Sequence, residues 1–216
     1  MFLDYDQRLN LSDLLQDAIN RNPEMKPIKK DSRISLKDTQ IGNLTNRITF
    51  ISKAIQRLTK LQIIYFANSP FTYDNIAVDW EDANSDYAKQ YENEELSWSN
   101  LKDLTDVELY NCPNMTQLPD FLYDLPELQS LNIACNRGIS AAQLKADWTR
   151  LADDEDTGPK IQIFYMGYNN LEEFPASASL QKMVKLGLLD CVHNKVRHLE
   201  AFGTNVKLTD LKLDYN

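Results

Sequence analysis

Residues 104 to 136 read LTDVELYNCPNMTQLPDFLYDLPELQSLNIACN, and their leucines follow neither the three-and-four spacing of a helix nor the alternation of a strand. The spacing returns along the chain. LTKLQIIYFANS (58 to 69), LKDLTDVELYNC (101 to 112), LPELQSLNIACN (125 to 136), MVKLGLLDCVHN (183 to 194) and LTDLKLDYN (208 to 216) align. KIQIFYMGYNNLEEF (160 to 174) joins them through Ile161, Phe164, Met166, Asn169, Leu171 and Phe174. The shared rule is L-x-x-L-x-x-L-x-L-x-x-N/C.

This rule has a physical reading. Val107 and Leu109, or Leu131 and Ile133, stand two apart on a short strand and so point to one face, while Asp106, Glu108 and Tyr110 point to the other. The next column turns the chain. Ser69, Cys112, Asn136, Asn169, Asn194 and Asn216 fill it, and a buried Asn there can meet backbone groups whose loss would cost about 1–3 kcal/mol each. Beyond the turn, Leu118, Leu125 and Leu128 return to the core from a short helix on the convex side, with Pro119 expected in its first turn. Ile51, Ile55, Leu58 and Leu61 repeat that form. A single coil cannot bury its own apolar face, so the expected architecture is an α/β solenoid with a curved parallel sheet on the concave side.

The steps from Ile64 to Val107, Leu131, Phe164, Leu189 and Leu211 are 43, 24, 33, 25 and 22 residues. Units of this kind run about 20–29 residues, so insertions are expected near 75–100 and 139–160. The second reads as a helix from Ser140 to about Ala152. Ser140 and Gln143 suggest a capping box, Leu144, Trp148 and Leu151 an apolar face, and TGP at 157 to 159 a stop. The first reads as a loop with a short helix near Tyr87 to Glu94. RISLKDTQI (33 to 41) is expected to be a degenerate first unit with Ile34, Leu36 and Ile41. The domain layout expected is a helical cap over 1–30, built on Leu11, Leu14, Leu15, Ala18 and Ile19 and ended by Pro23, followed by repeats over 31–216. Stopping at Asn216 inside a repeat suggests that the natural protein continues.

Composition narrows the chemistry. A net charge of −9 and a pI near 4.8 repel phosphate backbones, so nucleic acid is not an expected partner. No glycine-rich phosphate loop occurs, no apolar run reaches the roughly 18 residues of a membrane span, and MFLDYDQRLN lacks the features of a signal peptide. Cys112, Cys135 and Cys191 have no paired spacing and read as small buried hydrophobes. No cofactor is expected. His193 and His198 share one turn without a nucleophile elbow, which favours packing over catalysis. Asp82, Asn84 and Asp86 start like a calcium loop, but Tyr87 and Asn93 replace its glycine and bidentate glutamate. DDEDTG at 153 to 158 reads as a solvated loop. No catalytic or metal residue is assigned.

The strand face that the core does not use remains. Its expected columns are Ile63, Asp106, Ser130, Ile163, Leu188 and Asp210; Tyr65, Glu108, Asn132, Tyr165, Asp190 and Lys212; and Ala67, Tyr110, Ala134, Gly167, Val192 and Asp214. Tyr65, Glu108, Tyr110, Asn132, Tyr165, Asp190 and Lys212 are the candidate ligand contacts, tyrosine being enriched at interface hot spots.

The repeat rule, and with it YFANSPFT, SWSNLKDLTDVELYNCPNMTQLP, ACNRGIS and MGYNNLEEFP, resembles the leucine-rich-repeat surface proteins of gut Bacteroidetes. The resemblance implies an exported protein, at the cell surface or in the periplasm, whose repeats bind a protein or a glycan. A scaffold or spacer for an enzyme or anchor domain outside this chain is the other reading. Ubiquitin-ligase effectors pair such repeats with a separate catalytic cysteine domain, which this sequence lacks.

Overall fold

The computed structural model describes residues 33–35 as backbone, and 55–56, 58–68, 97–155, 157–202 and 207–216 in full. The expected helix at 9–27, Leu36, Ile41, Ile51, Ser69, the calcium-like stretch and most of the first insertion lie outside these residues.

Seven three-residue strands form one parallel sheet in chain order: β1 (Arg33–Ser35), β2 (Ile63–Tyr65), β3 (Asp106–Glu108), β4 (Ser130–Asn132), β5 (Ile163–Tyr165), β6 (Leu188–Asp190) and β7 (Asp210–Lys212). The register is that of the repeat alignment, with Ile64, Val107, Leu131, Phe164, Leu189 and Leu211 on successive rungs. The ladder continues past each strand. Ile133 and Cys135, for example, donate to the carbonyls of Tyr165 (2.8 Å) and Gly167 (2.9 Å), and equivalent pairs recur from Phe66 to His193. The second inward column is Phe66, Leu109, Ile133, Met166 and Cys191, all fully buried. On the last rung, Leu211 is 39% exposed.

The turn column ties the rungs together. Asn136 Nδ2 donates to the carbonyl of Ile133 in its own turn (2.8 Å) and to that of Leu109 one rung back (2.7 Å). Asn169 does the same with Met166 and Ile133, Asn194 with Cys191 and Met166, and Asn216 with Leu213 and Cys191, at 2.8–3.0 Å. Each Oδ1 then accepts an amide from the coil before: Cys112, Asn136, Leu171 and Val196 respectively. One side chain therefore satisfies three backbone groups in two coils. Cys112 substitutes in part, its thiol donating to Phe66 carbonyl at 3.2 Å. Its sulfur is sealed from water, as the column role requires. Cys191 is equally buried, with its thiol pKa pushed well up by desolvation, whereas Cys135 is half-exposed, contrary to the reading of all three as core residues.

The convex side differs from the expectation in three ways. Leu118 and Leu125 flank a 3-10 turn, Asp120–Asp124, instead of an α-helix, and Pro119 precedes it in extended backbone. A 3-10 turn rises about 2.0 Å per residue against 1.5 Å for an α-helix, so it spans the coil's back with fewer residues. Phe121, Leu122 and Tyr123 supply its buried side.

The inserted helix α1 (Ala141–Asp153) forms with Ser140 as its cap, and Leu144, Trp148 and Leu151 are buried. Trp148 meets Phe164 and Phe174 edge-on, at 5.8 and 4.9 Å. Only half of the capping box is present: Ser140 Oγ accepts from Gln143 amide, but the Gln143 side chain donates to Asp147 (2.7 Å). Asp147 is buried and also accepts the amide of Leu118 at 2.8 Å, so it ties the inserted helix to the preceding coil. Burial raises its carboxyl pKa above the usual range, against the pull of those two hydrogen bonds.

The helix stops at Asp153, before the TGP stretch. Gly158 lies so close to its end that a Cβ would meet the carbonyls of Leu151 and Ala152 at 2.6 Å. TGP is therefore a packing turn against the helix terminus.

Asn136 and Asn216 hold the same column but differ in burial. Asn136→Ala is expected to cost about 3 kcal/mol in chemical denaturation, since it strands the buried Leu109 carbonyl and Cys112 amide while the Ile133 carbonyl keeps Asn169. Asn216→Ala, an exposed residue whose buried acceptor, the Cys191 carbonyl, keeps Asn194, is expected to cost under about 1 kcal/mol. Equal costs would show that the column is not what couples the coils.

Candidate functional site

The three outward columns stand where the register puts them. Tyr65, Glu108, Asn132, Tyr165 and Asp190 are half-buried, Tyr110 is 36% exposed, and Lys212 is exposed. All seven candidate contacts thus share one face of the sheet, across β2 to β7.

Not every outward position is open. Ala67 and Gly167 are buried, so the third column is interrupted. A Cβ on Gly167 would lie 3.0 Å from Val192 Cγ2 and 3.4 Å from Asp190 Oδ1, which shows how closely the next rung leans over it. Two candidates also serve their own strand ends. Asn132 Oδ1 accepts from Ala134 amide (3.0 Å) and Asp190 Oδ1 from Val192 amide (3.2 Å). Asp190 further pairs with Lys212 at 3.6 Å. The side chains with fewest internal ties are Tyr65, Glu108 and Tyr165.

Next to the Asn/Cys column runs a second one that the sequence reading missed. Asn68, Asn111, Cys135, Tyr168, His193 and Tyr215 all have φ between 51° and 65°, the left-handed region. There the Cβ crowds the following carbonyl, at about 1–2 kcal/mol per residue other than glycine. Side chains in this column touch from rung to rung. Asn111 Nδ2 donates to Asn68 Oδ1 at 2.6 Å, and His193 stacks between Tyr168 and Tyr215 at 4.2 and 4.3 Å. Stacks of about 0.5–1.5 kcal/mol each offset part of that backbone cost.

Tyr110 reaches this column as well: Cys135 beside it, then partial burial and the Glu108 carboxylate, raise its phenol pKa above the usual range. The signal in the sequence was positional, always the residue before the Ser, Asn or Cys of the turn column, and only Asn68, Asn111 and His193 are of types enriched in the left-handed region.

His193 is thus held by aromatic packing, and exposed His198 pairs through its backbone with Glu173. Among the described residues no three metal-binding side chains converge, and no helix is long and apolar enough to cross a membrane.

No protein-family model matches the sequence, and no curated protein matches it. Solved structures do. A leucine-rich repeat protein from Bacteroides eggerthii is 60% identical over 96% of this chain, with a TM-score of 0.73. A leucine-rich-repeat protein of Leptospira interrogans is 16% identical over 86%, with a TM-score of 0.53, a likeness of fold alone. This chain spans 34% of the first and 41% of the second.

The left-handed column makes a reversed ordering of substitutions. His193→Gly and His193→Ala both lose the stacks, yet the glycine variant is expected to be more stable by about 1 kcal/mol in denaturant titration. The usual advantage of alanine would indicate ordinary backbone at this turn.

Proposed function

The chain is a leucine-rich-repeat protein, and from that premise we propose that it is a non-enzymatic binding module that recognises a protein or glycan partner through the concave face of its sheet. The observation that carries this reading is the half-exposed Tyr65, Glu108 and Tyr165 in one column, on β2, β3 and β5, free of core duties. A stacked sheet holds such residues in place before any partner arrives, so little ordering entropy is lost on binding. Tyrosine adds large contact area at small conformational cost.

Export to the cell surface or periplasm fits the likeness to the Bacteroides protein, and is part of the same proposal. So is the wider layout, with a helical cap over 1–30, repeats over 31–216, and insertions near 75–100 and 139–160. The remaining candidates, Tyr110, Asn132, Asp190 and Lys212, form the border of the contact surface in this reading. A scaffold role for a domain elsewhere in the full-length protein is the alternative.

The test is a combined display and glycan-array screen, followed by the triple variant Tyr65→Ala, Glu108→Lys, Tyr165→Ala. Captured partners are expected to lose at least about tenfold in affinity while the thermal melt stays put, as hot-spot truncation without core damage would give. Undiminished capture by the triple variant would remove the concave face from the account.

A further inference from the structure

The sheet face is not uniform along the solenoid. Its middle rungs are uncharged: Ser130 and Asn132 on β4, Ile163 and Tyr165 on β5, and Leu188 opening β6. Carboxylates stand on both sides of that middle. Asp106 and Glu108 lie on β3; Asp190, Asp210 and Asp214 lie on β6, on β7 and just beyond it.

Most carboxylates of the face stand without a base. Off the sheet face, five acids pair with bases, Asp103 with Lys60, Asp120 with Arg150, Glu127 with Lys160, Asp153 with Lys182 and Glu173 with Lys145, while Glu155, Glu172 and Glu200 form no ion pair among the described residues. On the face, Lys212 alone pairs, with Asp190. Among the described residues Asp106, Glu108, Asp210 and Asp214 have no ion-pair partner. Thr105 and Thr209 hydroxyls donate to Asp106 (2.6 Å) and Asp210 (2.8 Å), which orients these carboxylates without neutralising them.

We propose that this face takes a cationic polypeptide segment lying across the strands, with Lys or Arg at both ends and uncharged, partly apolar residues between them. The proposal rests on the concave face being the binding surface. Rungs of a sheet are about 4.8 Å apart, so the four steps from β3 to β7, which carry the unpaired acids, cover about 19 Å. An extended segment crosses that distance in about six residues, which sets the spacing of its basic ends. Its middle lies over Ile163, Tyr165 and Leu188, where apolar contact replaces charge. A neutral glycan would leave the end carboxylates unused, and an anionic one would be repelled.

The probe is a fluorescent octapeptide with two arginines at each end and four uncharged residues between, beside versions carrying glutamine or glutamate in place of arginine. The arginine peptide is expected to bind, more weakly as salt rises, and the glutamate peptide to fail. The variant Asp106→Asn, Glu108→Gln, Asp210→Asn, Asp214→Asn is expected to weaken binding about tenfold. A control with the same charge change off the face, Asp153→Asn, Glu155→Gln, Glu172→Gln, Glu200→Gln, is expected to change it less than about twofold.

Equal loss in both variants, salt-independent binding by the parent chain, or preference for a neutral hexasaccharide would overturn the proposal. Glutamine-peptide binding as tight as arginine-peptide binding, and lost on Tyr65→Ala with Tyr165→Ala, would sink the charge requirement but keep the concave face. Arginine-peptide binding untouched by either set of face variants would remove both.

Discussion

A three-residue strand that turns at once out of the sheet leaves inward-pointing carbonyls that the sheet ladder does not satisfy. The Asn column meets this need with a primary amide, which has two donors and one acceptor and can reach two coils at once. Donation from Asn136 to Ile133 and Leu109, with acceptance from Cys112, is the unit from which the stack is built. Register follows. The carbonyl of Ile133 receives both Asn136 and Asn169, so a slip of one residue would break bonds in three coils together.

That constraint places everything else. Because the amides hold the rungs in line, Val107, Leu131, Phe164 and Leu189 bury as one continuous rib and their neighbours emerge as straight columns on the other face. The left-handed residues mark the point where each strand leaves the sheet, and the Tyr168, His193 and Tyr215 stack recovers part of the backbone cost there. On the convex side the coils have more freedom, and Asp147 shows how it is used: a buried carboxylate joins the inserted helix to the coil before it through Leu118. The result is a rigid ribbon whose unpaired acids and tyrosines owe nothing to the core.

The sheet was legible because its rule is periodic: aliphatics two apart followed by Asn or Cys allow one register, and Ile64 to Leu211 adopt it. The convex side was less so, since Leu118 to Leu125 can return to the core by either kind of helix and only the length available decides. The left-handed column escaped because tyrosine and histidine do not announce positive φ as glycine would. Asp147 escaped because a lone acid on a helix reads as solvated until a neighbouring coil presents an amide to it. For the candidate site, the alternation gave the face but not the internal ties of Asn132 and Asp190, which depend on where each strand ends.

Hydrogen exchange at the ladder amides tests the central claim most directly. The Cys112 and Asn136 amides point at the next coil's Asn, at 2.7 and 2.6 Å, and belong to no strand. If the column couples the coils, these two amides should exchange only when the stack opens, with protection within about tenfold of the Ile133 amide in the sheet ladder. Exchange at the pace of an exposed turn, with Ile133 still protected, would mean that the coils are joined by the sheet alone.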